Sequence, residues 1–247
     1  MPFHFGALLL ATMSMAAPAA QAASMQSNLA LLDAARDGKT AIVQSLLDDG
    51  AAVNVRNRFG NTPLLYAARM GHLETARLLI DRGAEINKPN LNNISPLTEA
   101  AYHGHVDIVR VLLDGGAGTG VVDNSGKTAL VYAAGTGNVP ILELILASNG
   151  NVNVPSGNDL TALMWAASYG HLEAVRTLLD HGARLDMQDN RGMTALMMAA
   201  KAGHAETVRE LLRQGADPAL QDKQGKMAST HAAGMPDVVK ALEHAAD

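Results

Sequence analysis

The chain has no cysteine among its 247 residues. That excludes disulfide stapling, thiol chemistry and cysteine-based metal sites together. Aromatic residues are scarce, at 3%, with 1 Trp, 3 Phe and 4 Tyr, so the interior is built from Ala, Leu, Ile, Val and Met. No apolar run is long enough to span a bilayer. A strong positive balance is also missing: the formal net charge is −5, which argues against a nucleic-acid binder. Nucleophile-elbow, HExxH and EF-loop patterns are absent, so no hydrolytic or calcium chemistry has a carrier.

What is present begins with MPFHFGALLLATMSMAAPAAQAAS. The run from Phe5 to about Ala17 has the length of a signal-peptide core rather than a membrane span, and Ala20-Gln21-Ala22 offers small residues for cleavage. Residues 1–22 are therefore expected to be a secretory leader, although its start carries His4 and no Lys or Arg. The expectation is a periplasmic or secreted protein whose remaining body is residues 23–247.

The informative stretch is Asn57 to Asn87, NRFGNTPLLYAARMGHLETARLLIDRGAEIN. Thr62 suits an N-cap and Pro63 the first helical position. Leu64, Leu65, Ala67 and Ala68 then form an apolar face of small residues. Gly71-His72 interrupts the helix, and Leu73 to Asp81 has the spacing of a second amphipathic one. Gly83 stands where a left-handed C-cap is needed. A helix–turn–helix–loop unit of this size cannot bury its own apolar face.

It recurs instead. Ser95-Pro96-Leu97, Thr128-Ala129-Leu130, Thr161-Ala162-Leu163 and Thr194-Ala195-Leu196 follow Thr62-Pro63-Leu64 at intervals of 33 residues. Each is followed by an Ala-Ala pair, and Gly104, Gly137, Gly170 and Gly203 fall in phase with Gly71. Fixed self-similarity at this period signals a stacked array. The TPL-x-x-AA core, the Gly-His turns at 71–72, 104–105, 170–171 and 203–204, and the GA-x-x-N loop resemble ankyrin repeats. The resemblance covers about Ser27 to Asp247 and implies an all-α solenoid of about seven helix–turn–helix–loop repeats, beginning near 27, 57, 90, 123, 156, 189 and 222. It further implies that the turn histidines hydrogen-bond the turn of their own repeat.

The two ends depart from the pattern as caps should. The first repeat lacks Thr-Pro and places Asp33, Arg36 and Asp37 on its first helix; the last has MASTHAA at 227–233 and no Gly-His turn. Inside the array, Gly115 to Gly120 lacks the apolar residue and Asn of its neighbours. Asn149 replaces a C-cap Gly, and Pro140 opens a second helix.

Several motifs tempt and fail. Gly126-Lys127-Thr128 lacks the Gly that a phosphate loop requires, because that position is Val121. The four turn histidines, one per repeat, are separated by the spacing of packed helices, about 8–10 Å. A zinc ion needs its nitrogens at about 2.0–2.1 Å, so they cannot share one. Met187, Met193, Met197, Met198 and Met227 could hold copper through thioethers, but core filling accounts for them. Glu99 stands alone where other repeats carry Tyr66, Tyr132, Trp165 and Met198, and is expected to point its carboxylate into solvent.

In arrays of the kind the resemblance implies, turn tips and the open side of the first helices form a concave surface. On it the sequence places anchors Phe59, Met70, Ile94, Tyr102, Leu160 and Tyr169. His103 is a further contact, and Arg58, Arg69, Lys127, Arg191 and Lys201 serve as electrostatic guides. The concave positions together sum to +7, or +3 once the acids at 123, 159, 189 and 222 are included, against −5 for the whole chain. Tyr, Arg, Phe and Met are enriched at interface centres. The expected function is binding of another protein with an acidic surface, by a monomer without catalysis, cofactor, nucleic acid or membrane span. The alternative is a periplasmic small-ligand or copper-binding protein.

Overall fold

A computed structural model describes residues 10–243, with side chains from residue 22 onward. Of the expected leader over 1–22, residues 1–9 lie outside the described residues, while the backbone of 10–22 is helical and continuous with the helix that ends at Arg36. Fourteen α-helices, paired into seven repeats, make up the described chain: α1 Leu10–Arg36 and α2 Thr40–Asp48; α3 Pro63–Met70 and α4 Leu73–Asp81; α5 Pro96–His103 and α6 Val106–Asp114; α7 Ala129–Thr136 and α8 Val139–Ala147; α9 Ala162–Ser168 and α10 Leu172–Asp180; α11 Ala195–Ala202 and α12 Ala205–Arg213; α13 Ala228–His231 and α14 Pro236–Glu243. Among the described residues there is no strand, only an isolated bridge between Ser156 and Leu160.

The caps explain where each unit starts. Thr62 sits in extended backbone and its hydroxyl accepts from the Leu65 N–H at 3.2 Å. Ser95, Thr128, Thr161 and Thr194 repeat the arrangement, while Met227 in the last repeat offers no side-chain cap. Each such cap contributes about 1 kcal/mol to its helix. Gly71 ends α3 with φ of 81°, a left-handed turn that costs a Cβ-bearing residue about 1–2 kcal/mol. In the fourth repeat Asn149 takes that conformation at φ 64°. There the second helix opens at Val139 under an Asn138 side-chain cap, with Pro140 as its second residue rather than its first.

Close stacking follows from small residues. The Ala pairs at 67–68, 100–101, 133–134, 166–167 and 199–200 have no solvent exposure, so adjacent first helices meet nearly backbone to backbone. Leu79, Leu112, Leu178 and Leu211 fill the layer between first and second helices. Burying each such side chain stabilises the array by about 1.5–3 kcal/mol. One continuous core runs from Leu31 to Ala241. The outer face of the first repeat is not purely polar: beside Asp33 and Arg36, Met25, Leu29 and Ile42 stand largely exposed.

Polar ladders stitch one repeat to the next. Nε2 of His72, His105, His171 and His204 lies 2.9–3.1 Å from the carbonyl oxygens of Arg36, Arg69, Gly135 and Ser168. Each histidine thus reaches the preceding repeat, not the turn of its own, because the turn lies directly over the end of the neighbouring first helix. The loop asparagines Asn54, Asn87 and Asn153 form a second ladder, each donating to one backbone carbonyl of the next loop and accepting from one N–H. At the boundary between the third and fourth repeats both are missing: Asn138 caps its own helix in place of the histidine, and Gly120 stands in place of the asparagine.

Candidate functional site

The loop tips are held by a repeated turn. Asn57, Asn90, Asp123, Asp189 and Asp222 each accept two backbone N–H groups of their own tip. Adjacent tips are joined by the N–H of Leu91 to Phe59, of Asn124 to Asn92, of Asn190 to Asn158 and of Lys223 to Arg191. A rigid strip of tips results, and beside it runs the open side of α3, α5, α7, α9 and α11.

On that surface Phe59, Met70, Tyr102 and Tyr169 are about half exposed, as are Arg58, His103, Arg191 and Lys201. The Arg58 guanidinium lies 4.7 Å from the Phe59 ring centroid. Ile94 is half-buried, and Leu160 packs against the core cluster, so it offers an edge rather than a protruding anchor.

The charges are arranged otherwise than a count by position suggests. Glu99 does not face solvent: it is 3% exposed and is held by Arg69 from the preceding repeat. Arg69 Nη2 donates to Oε1 at 2.7 Å and Nε to Oε2 at 3.1 Å, a two-pronged pair. His103 Nε2 lies 3.5 Å from the same carboxylate. Arg191 is likewise neutralised by the buried Asp189, 2.7 Å away. Arg69 and Arg191 are therefore not free guides, and the positive field of the face is weaker than +7 by those pairings. Among the described residues Arg58, Lys127 and Lys201 form no ion pair.

Lys127 has a different neighbour. Its Nζ lies 4.4 Å from the Trp165 ring centroid and 5.3 Å from that of Tyr132, a cation held between two rings of successive repeats. Tyr132 meets Tyr102 edge to face at 5.1 Å, and Trp165 stacks on Tyr169 at 5.9 Å. The Tyr132 hydroxyl donates to Asp123 Oδ2 at 2.6 Å; burial first, and then that carboxylate, push its pKa upward. Four of the five Tyr and Trp side chains of the chain thus form one ribbon across the third to fifth repeats.

At one end of the ribbon a cavity of about 340 Å³ is lined by Arg69, Ile94, Thr98, Glu99, Tyr102, His103, Lys127 and Tyr132. It gathers Arg69, Ile94, Tyr102, His103 and Lys127 from the sequence-derived set. Glu99, Tyr132 and Trp165 were not in that set. Arg69 lies 30 residues before Glu99, close to one repeat, and that near-coincidence of an acid and a base on adjacent first helices was the available signal. A second hollow of about 290 Å³ holds Arg191 and Lys201 beside Met193 and Met198. Arg58, Phe59, Met70, Leu160 and Tyr169 line neither.

Met193, Met197 and Met198 are core residues, at most 6% exposed. Among the described residues no group of three or more His, Asp or Glu could hold an ion, and no helix is long and apolar enough to cross a membrane.

Stacked helix pairs with stitched turns and an open side of first helices define a repeat solenoid of the interaction-module class. The sequence model described as Ankyrin repeats (3 copies) matches residues 10–90, 31–121, 97–189, 143–222 and 163–247. The chain belongs to the ankyrin repeat family. Among solved structures it is similar to the crystal structure of the human ASB11 ankyrin repeat domain, at 28% identity and a TM-score of 0.80, over 87% of this chain and 96% of that one. No curated protein matches the sequence. Ankyrin repeats generally mediate protein–protein interaction and are generally non-catalytic.

Proposed function

We propose that this chain is a monomeric, exported binding module that recognises an acidic surface of another periplasmic or secreted protein. The observation that carries the reading is the Tyr102–Tyr132–Lys127–Trp165–Tyr169 ribbon on the concave side of α5, α7 and α9. Trp165 packs against the core, whereas Tyr102 and Tyr169 stand about half exposed on the open face, and interface centres are rich in such side chains. The scaffold supports the same reading: tips and first helices are preformed, so little ordering entropy is lost on binding. Exposed Arg58 and Lys201, with the half-buried Lys127, steer an acidic partner toward the face.

The test is affinity capture from periplasmic extract with the mature chain and with a variant carrying Arg58→Ala, Tyr102→Ala, Lys127→Ala and Tyr169→Ala. Circular dichroism must first establish that the variant is folded. A partner retained by the first and lost by the second supports the reading. Equal retention by both sinks the concave face, and a partner recovered only from the cytosolic fraction sinks the location.

A further inference from the structure

The helix position occupied by Glu99 holds Tyr66, Tyr132, Trp165 and Met198 in other repeats. A carboxylate there is costly: it is 3% exposed, and desolvating an ion pair commonly offsets most of the Coulomb attraction it gains. The neighbouring repeats need no charge there: Tyr66 and Tyr132 each hydrogen-bond the turn residue of their own repeat, Asn57 and Asp123. A departure from the repeat that does not help the fold is where function is to be sought.

The geometry around the pair shows what it could do. Arg69 uses Nε and Nη2 on Glu99, and among the described residues Nη1 has no hydrogen-bond partner. Glu99 therefore fixes the plane of the guanidinium and leaves one edge of it available. Lys127 Nζ, on the other side of the cavity, is held by two aromatic faces and by no acid. His103 supplies a third nitrogen on the rim. Counting Arg69, Lys127 and Glu99, the lining carries one excess positive charge. Tyr102, Tyr132 and Ile94 form its apolar walls, and the volume of about 340 Å³ lies in the range of ligand pockets, about 300–1,000 Å³.

The cavity also straddles the boundary that lacks both stitching ladders, since Tyr102 belongs to α5 and Tyr132 to α7. The loops of the same boundary keep other hydrogen bonds: the Asn93 side chain donates to the Val122 carbonyl, and the Asn124 side chain and N–H to those of Leu91 and Asn92.

We propose that this cavity is an anchor site for one acidic side chain, Asp or Glu, of an extended segment of the partner protein. The carboxylate is received between Arg69 Nη1 and Lys127 Nζ, and the adjoining apolar residue lies against Tyr102 and Ile94. Glu99 is a positioning residue that acts through Arg69. This deepens the protein-binding reading above and rests on it for the identity of the partner, though not for the chemistry of the pocket.

Trp165 is the only tryptophan of the chain, and Lys127 lies directly over it, so its emission reports what happens at Lys127. The probe is end-blocked poly-L-glutamate, with poly-L-glutamine, poly-L-lysine and a single-stranded oligodeoxynucleotide of matched length as comparators. Isothermal titration gives the affinity and Trp165 emission the location. Poly-L-glutamate should bind saturably and alter the emission. Lys127→Met should weaken binding about tenfold or more, the loss expected for one charge-assisted hydrogen bond. Arg110→Met, exposed on α6 and outside the lining of the cavity, should change it less than about twofold.

Equal losses in the two variants would mean diffuse attraction and overturn the proposal. So would preference for poly-L-lysine, which would make Glu99 the ligand, or equal binding of the oligonucleotide. The fault can be located as well. A partner captured by the mature chain and lost with the four-position variant, yet kept by Lys127→Met and Tyr102→Phe, leaves the face standing and removes the pocket. Poly-L-glutamate binding without any captured partner leaves the pocket standing and removes the exported partner.

Discussion

Nε2 of His105 lies 3.0 Å from the carbonyl oxygen of Arg69, tying the turn of the third repeat to the end of the first helix in the second. The same arginine sends its side chain to Glu99 in the third repeat. One residue therefore takes part in both the stacking of the array and the floor of the candidate pocket. Replacing His105 with Ala should lower stability by about 1–2 kcal/mol, the cost of an unmatched carbonyl. Urea unfolding followed by circular dichroism measures it, and an unchanged midpoint would mean the ladder is not structural.

Gly71 and Gly83 separate strain from steric exclusion. Both have φ above 80°, but a Cβ at Gly71 would lie 2.7 Å from the His105 ring while one at Gly83 meets nothing within 4 Å. Gly83→Ala should cost about 1–2 kcal/mol from backbone strain alone. Gly71→Ala should cost more, because the ring must also move and its bond to Arg69 lengthen. If the two variants unfold at the same urea concentration, the close approach is harmless.

The pair Arg69–Glu99 should behave as a buried ion pair with one half-exposed partner. Arg69→Met strands the Glu99 carboxylate and should cost about 1–3 kcal/mol, reduced from the fully buried value because Arg69 reaches solvent and His103 remains near. Adding Glu99→Met should restore part of that loss. A double variant less stable than the single one would show that the pair is not stranded by its partner's removal but contributes through packing.

Gly120 offers a gain. In the first, second and fourth repeats an asparagine here reaches the carbonyl 29 residues on and the N–H 31 residues on. Nothing lies within 4 Å of a Cβ at Gly120. Gly120→Asn should therefore bond to the Asn149 carbonyl and the Asn151 N–H and stabilise the protein by about 0.5–1.5 kcal/mol. Thermal unfolding checks it, and a lowered melting temperature would refute the missing-stitch interpretation.

Acid should weaken the C-terminal half through Glu210. Arg213, with Gln214 and with Arg176 from the preceding repeat, holds this buried carboxyl at about 2, below its ordinary 4.5. A lowered folded-state pKa means stability fully present above about pH 4.5 and lost as pH falls toward 2. Glu210→Gln should flatten that portion of the stability–pH curve. Parallel curves for the two proteins between pH 4.5 and 2 would refute it.

Much of the architecture was legible in one dimension, because its causes are local. Thr62 caps the helix that begins at the next residue, Gly71 takes the left-handed turn that ends it, and the Ala pairs set how closely helices approach. Repetition of those short-range rules at a constant interval is enough to specify a solenoid. The exposed positions of Phe59, Tyr102 and Tyr169 followed from the same periodicity.

What the tertiary structure alone decided were the partners across repeat boundaries. A period states that His105 is equivalent to His72, but not that each bonds the repeat before it. It places Glu99 on a helix face without showing that Arg69 turns toward it, or that Lys127 settles between Tyr132 and Trp165. Those contacts depend on the offset and twist between stacked units, which arise from side-chain packing over three dimensions. Local rules therefore determined the scaffold, and stacking geometry determined which of its charges remain free to bind.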